Sequence, residues 1–97
     1  MSAGFVLTPD AQSDLDAIQD FLLAESVGAS AVVGQALFAA FARLAEHPGI
    51  GHDRADLTDR PVKFWAVYSY LIVYDSAARP VRIIRVVHAA RDVRAQL

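Results

Sequence analysis

The side chains best suited to acid–base or anion chemistry gather near the C-terminus. His88 and Arg91 stand three residues apart, after a β-prone run that carries Arg82 and Arg85. If the chain turns helical after His88, that spacing puts an imidazole beside a guanidinium, a pair suited to binding phosphate. Metal-free cleavage of a phosphodiester needs more: a base to activate a hydroxyl, cations to hold the developing charge and an acid for the leaving oxygen. His88, Arg85, Arg91, Lys63 and the tyrosines are the eligible groups, but no dense cluster of base, cation and acid occurs near the C-terminus. The first expectation for His88 is structural, bonded to a backbone group or to Asp92. Contact with a partner comes second and catalysis last.

Arg85 poses a different question. It lies between Ile84 and Val86 in a strand, where a charge is unfavourable unless paired. An acid on the first helix, such as Asp14, is the expected partner. Lys63, Arg82 and Arg91 suit an exposed sheet face, where the bland expectation is solvation. His47 and His52 stand five apart with Asp53 beside the second, but no third ligand at a workable spacing joins them, so no metal site is expected. His47 more simply suits the negative end of a helix. The absence of cysteine rules out disulfides, thiolate zinc sites and thiol nucleophiles. No cofactor is expected.

Charge is divided along the chain. Residues 79 to 97 carry Arg79, Arg82, Arg85, Arg91 and Arg94 against Asp92 alone, while residues 1 to 78 carry four bases and ten acids. A basic end on an acidic body suggests a local patch for an acidic partner or another anion, or else arginines that are merely solvated. The chain has 97 residues, which fits one domain from 1 to 97. It is 55% hydrophobic with a mean hydropathy of +0.31, so either the core is rich or apolar surface awaits a partner. The opening Met1-Ser2-Ala3-Gly4 lacks the basic start and long apolar run of a signal peptide. No run reaches about 18 uncharged apolar residues; Arg43 and Glu46 interrupt the most apolar window, Ala29 to Ala45, at its end. A cytoplasmic location without a membrane span is the expectation.

These groups must be positioned by a few elements. Phe5-Val6-Leu7 is β-prone. Thr8-Pro9 then starts a helix, with Thr8 as cap and Pro9 where no N–H is needed. Ala11, Leu15, Ile18 and Leu22 line one face of that helix, predicted from Pro9 to Glu25. Ser26-Val27-Gly28 predicts a turn, and a second, more buried helix follows from Ala29 to His47, ended by Pro48-Gly49. The short link makes an antiparallel helical hairpin. After an irregular polar stretch to Pro61, the runs Val62–Val67, Tyr70–Tyr74 and Val81–Val87 predict three strands of an antiparallel meander, then a short tail of about one helical turn. The fold class is α+β, in the order β-α-α-β-β-β, with the hairpin packed on a small antiparallel sheet. The first strand should join that sheet beside one of the later three. Alternation sends Tyr70, Ile72 and Tyr74 to one face and Leu71 and Val73 to the other. The second apolar face should either pack internally or receive a partner segment.

In this order the chain resembles the RelE/ParE toxin superfamily. Ala11, Asp14, Leu15 and Ile18 match its A-x-x-D-L-x-x-I arrangement. Leu44-x-x-x-Pro48-x-x-Gly51 follows, with Arg54 and Leu57, then Tyr70-x-Ile72-x-Tyr74, then Ile83-x-Arg85-Val86-x-His88-x-x-Arg91-Asp92. Each piece alone is weak, but four in order along nearly the whole chain are specific. The Arg-Val-x-His-x-x-Arg-Asp ending is similar to the ParE branch.

The resemblance implies the toxin half of a type II toxin–antitoxin system. Its implied target is DNA gyrase, inhibited by binding without catalysis. Its implied partner is a ParD-like antitoxin encoded beside it and bound as a hetero-oligomer, with no sequence-specific DNA binding by this chain. The expected antitoxin or target contacts are Lys63, Arg82, His88, Arg91 and Arg94; the expected structural ion pair is Arg85 with Asp14. The alternatives are a ribosome-dependent mRNA endonuclease of the RelE type, using His88, Arg85 and Arg91, or a non-toxic member that binds only the antitoxin. An overall acidic chain weighs against the nuclease, since phosphate contacts dominate RNA affinity.

Overall fold

The computed structural model describes residues 4–97; the opening Met1-Ser2-Ala3, inspected above for a leader, lies outside them. Strand β1 (Phe5–Leu7) leads through Thr8 into helix α1 (Pro9–Glu25). The Thr8 hydroxyl accepts the Ala11 N–H at 3.1 Å, and Pro9 occupies the first helical position, so the start seen in the sequence forms as expected. Helix α2 (Val27–Glu46) begins two residues earlier than the predicted Ala29. The reason is Ser26. Its N–H donates to Leu22 O at 2.8 Å to end α1, while its hydroxyl accepts the Ala29 N–H at 3.2 Å to start α2. One residue does the work assigned to three, and Val27 and Gly28 enter the first turn of α2.

The two helices lie side by side through a small polar node. The Ser30 hydroxyl donates to the Gln19 side-chain carbonyl, and Gly34 leaves the space that the Gln19 amide occupies. A single 3-10 turn (Pro48–Ile50) follows α2, and the irregular segment then runs to the sheet.

Strands β2 (Lys63–Val67), β3 (Tyr70–Asp75) and β4 (Val81–His88) form the antiparallel meander, and a short helix α3 (Val93–Gln96) ends the chain. The sheet order is β1-β4-β3-β2. Strand β1 runs parallel to β4, with Phe5 opposite Val81 and Leu7 opposite Ile83. The sheet is therefore mixed rather than wholly antiparallel. A parallel neighbour needs a crossover, which the helical hairpin and the first two meander strands supply.

The helix-facing core joins Leu15, Leu37, Phe41 and Leu44 to Tyr70, Ile72, Tyr74, Val81, Ile83 and Val86. A β-bulge sets which residues of β4 reach it. Val73 opposes Arg85 but Tyr74 opposes Ile83, so Ile84 is the extra residue and the alternation reverses across it. That is why Ile83 and Val86 both enter the same core. The other face carries Phe64, Leu71, Val73 and Val87, and the chain itself covers them with Leu57, Val62, Val93 and Leu97. The second apolar face is thus occupied internally, which corrects the alternative of an open docking surface there.

By length and composition α2 is apolar enough to cross a membrane. One face of it, with Leu37, Phe41 and Leu44, lies fully buried against the sheet, while Val27, Val32 and Phe38 are exposed.

Candidate functional site

Strand β1 pairs with only the first three residues of β4, so the outer edge of β4 beyond Ile83 needs other partners. Side chains from both ends of the chain provide them. The Thr8 N–H donates to Ile83 O at 3.0 Å and the Thr8 hydroxyl to Ile84 O at 2.8 Å. The Asp14 carboxylate accepts the Val86 N–H at 2.9 Å. The Gln96 side-chain amide then acts as a fragment of strand: its oxygen accepts the His88 N–H at 2.8 Å and its nitrogen donates to His88 O at 2.9 Å.

Arg85 is tied into this edge. Its Nε and Nη2 meet the two oxygens of Asp14 at 2.7 and 3.0 Å, a two-point pair, and its Nη1 donates to Gln96 O. The side chains are 25% and 17% exposed, so solvent screens the pair only partly. Donating to the Asp14 carboxylate raises the Arg85 pKa above its already high value, and Arg85 keeps its charge at any working pH. Asp14 therefore holds a side chain and a backbone N–H at once. Its place in the A-x-x-D-L-x-x-I motif follows: one turn before Ile18, beside the half of β4 that β1 leaves uncovered.

A second motif is explained at the opposite end of the sheet. The Tyr74 hydroxyl donates to Pro48 O at 2.7 Å and accepts the Gly51 N–H at 2.9 Å. A Cβ on Gly51 would run into the Tyr74 ring. The Pro48-x-x-Gly51 pair thus receives the last tyrosine of Tyr70-x-Ile72-x-Tyr74. Burial raises the Tyr74 pKa above its usual value, and the Gly51 N–H opposes that shift.

The proposed contact residues do not converge on one place. Lys63 pairs with Asp53 at 3.1 Å, and Arg82 is exposed opposite Asp75, both at the Tyr74 end. His88 lies opposite Tyr70, about 13 Å further along the sheet at ~3.3 Å per residue. Arg94 is exposed beside a shallow hollow with Asp56, Asp59 and Arg60. Only His88 and Arg91 come together, at a cavity of about 340 Å³ that Asp14, Ile18, Phe21, Tyr70 and Gln96 also line. The His88 ring packs edge-on against Tyr70 with centroids 5.3 Å apart, and its Nδ1 accepts the Ala90 N–H at 3.2 Å. The histidine is bonded to backbone, then, and not to Asp92, whose carboxylate caps α3.

A second hollow, of about 750 Å³, lies between α2 and the outer strand β2, whose edge is bridged at Phe64 by the backbone of His52. Ala36, Ala39, Ala40, Trp65, Val67 and Tyr68 line it, and Arg43 sits over the Trp65 ring at 5.9 Å. Tyr68, at the tip of the β2–β3 hairpin, is 68% exposed with a φ of +51°, a left-handed conformation rare for an aromatic residue.

Against this geometry, the family model described as the ParE toxin of the type II toxin–antitoxin system, parDE, matches residues 5–93. The chain belongs to the ParE toxin family. The match spans β1 through the start of α3, so it covers both locks: Asp14 with Arg85, and Tyr74 with Gly51. No curated protein matches the sequence. As a member of the ParE family the protein is the toxin of a type II system, and such systems pair a toxin with an antitoxin. Sequence reasoning missed Gln96 and Phe21. Gln96 carried no signal, because nothing local shows that a tail residue reaches a strand edge. Phe21 lies off the stripe of Leu15, Ile18 and Leu22, and that displacement was the available clue.

Proposed function

We propose that this ParE-family toxin works by binding: it inhibits DNA gyrase in the cytoplasm and is silenced by a ParD-like antitoxin. The observation that carries the binding mode is the state of Arg85. Arg85, one of the cations that cleavage with His88 would draw on, already holds Asp14 and Gln96 O. What remains free at that end is a recognition surface: the exposed Phe21, the Arg91 guanidinium and His88 Nε2. For the antitoxin, the hollow between α2 and β2 suits a helical segment, and the apolar residues exposed on the helices, Phe21, Val32 and Phe38, suit its anchors.

The test is a supercoiling assay with purified gyrase and purified toxin. Inhibition that a co-purified antitoxin relieves supports the reading. Because His88 and Arg91 share a cavity, the mRNA endonuclease is the rival to measure alongside it. Primer extension on translated message that shows toxin-dependent cuts, lost in His88→Ala, would establish that rival and defeat the gyrase reading. Normal growth on overexpression without antitoxin would instead mark a non-toxic member.

A further inference from the structure

We infer that the cavity between α1 and the end of β4 is an anchor site for an acidic, apolar peptide segment of the antitoxin, which seats an aliphatic side chain on Phe21 and a carboxylate on Arg91. The identity of the partner rests on the binding reading above; the chemistry of the site rests on the cavity alone.

The cavity has two unlike walls. Ala17, Ile18, Phe21, Tyr70 and Val86 make one of them apolar, and Phe21 is 58% exposed although it sits beside a packed core. The other wall is polar, and most of its groups are already engaged. Asp14 is neutralised by Arg85, both atoms of the Gln96 amide hold the His88 backbone, and His88 Nδ1 accepts Ala90 N–H. Two donors stay available: the Arg91 guanidinium, which has no acid partner among the described residues, and His88 Nε2. Both residues line the same cavity.

Charge and size decide which anion fits. A nucleic-acid strand brings a phosphate per nucleotide and needs a run of cations. Here, among the described residues, a single arginine lines the cavity, too few for a strand of phosphates. A single carboxylate asks only for the fork of Arg91. A volume of about 340 Å³ admits one or two side chains, and the apolar wall rewards an aliphatic group beside the acid. Apolar contact then supplies most of the affinity and the ion pair supplies selectivity.

The test uses acetyl-Leu-Glu-amide, with acetyl-Leu-Gln-amide as the uncharged isostere, titrated into the full-length, isotopically labelled protein and followed by NMR. The expected result is shifts at Phe21, Val86, His88 and Arg91, with the Glu peptide binding about fivefold tighter than the Gln peptide at low salt. Arg91→Gln, an exposed change that leaves the fold intact, should erase that preference while keeping the weaker apolar binding. Equal binding of the two peptides, shifts confined to other residues, or no shift up to the solubility limit would overturn the inference. So would tighter binding here by a dinucleotide or inorganic phosphate, or shifts that track protein concentration alone and so indicate a second copy. The titration is independent of gyrase: a supercoiling assay without inhibition would defeat the functional reading and leave this site standing, and the converse also holds.

Discussion

The two ends of the sheet are closed by the same means but finished differently. At the Tyr74 end, the phenol, the Pro48 carbonyl, the Gly51 N–H, Lys63 and Asp53 all find partners within the chain. At the His88 end the backbone is just as fully bonded, through Asp14 and Gln96, yet Phe21, Arg91 and His88 Nε2 face outward. Apart from the exposed Arg82, the first end spends its polar groups on the fold, whereas the second keeps side chains in reserve. Residues borrowed from α1 and α3 to close a strand edge free the side chains of that edge for outside contacts. Arg85 and Arg91, six residues apart, show the division: the first is committed to the fold and the second is available.

Asp14→Ala should break the contrast most severely. It strands Arg85 partly buried and leaves the Val86 N–H without its acceptor, so a loss of about 3 kcal/mol is expected in urea unfolding. A loss under ~0.5 kcal/mol would mean that Asp14 is an ordinary surface acid.

At the other end, Gly51→Ala should lose about 2 kcal/mol, because the Tyr74 ring must move from a packed position. Tyr74→Phe, which removes two hydrogen bonds but keeps the ring, should lose about 1 kcal/mol.

The same tyrosine predicts an alkaline effect. Its pKa in the fold is raised by burial, so the unfolded chain releases the proton first. The stabilisation is complete below the unfolded value near 10 and is lost as pH rises through the folded value. Wild-type stability should fall across that window by more than that of Tyr74→Phe, as read by denaturation at a series of alkaline pH values.

The smallest stability effects belong to the reserved side chains. Arg91→Ala and Phe21→Ala should each change unfolding free energy by less than about 0.5 kcal/mol. Both should weaken the antitoxin complex in a calorimetric titration, Phe21→Ala more than Arg91→Ala, because apolar anchors carry more affinity than a rim charge. The reverse order would make the grip chiefly electrostatic.

The local parts of this fold were legible. Thr8-Pro9 marks the true start of α1, and Tyr68-Ser69 divides β2 from β3. The need for a partner at Arg85 followed from a charge set between Ile84 and Val86. What stayed hidden depends on distant residues. The bulge at Ile84 reverses the inward face of β4, and no alternation rule shows where such a break falls. The cover on the second face comes from Leu57, Val93 and Leu97, which look like loop and tail until the sheet exists. Of the site, the pairing of His88 with Arg91 was readable from their spacing. Gln96 and Phe21 were not, since their roles arise from the approach of α1 and α3 to a strand far from them in sequence.

The single-residue junction at Ser26 bears on how a partner is received. With one non-helical residue between them, and the Ser30–Gln19 bond just beyond, α1 and α2 are tied together at this end of the hairpin. A partner that pries the helices apart would therefore have to do so from the opposite end, near Pro9 and Glu46.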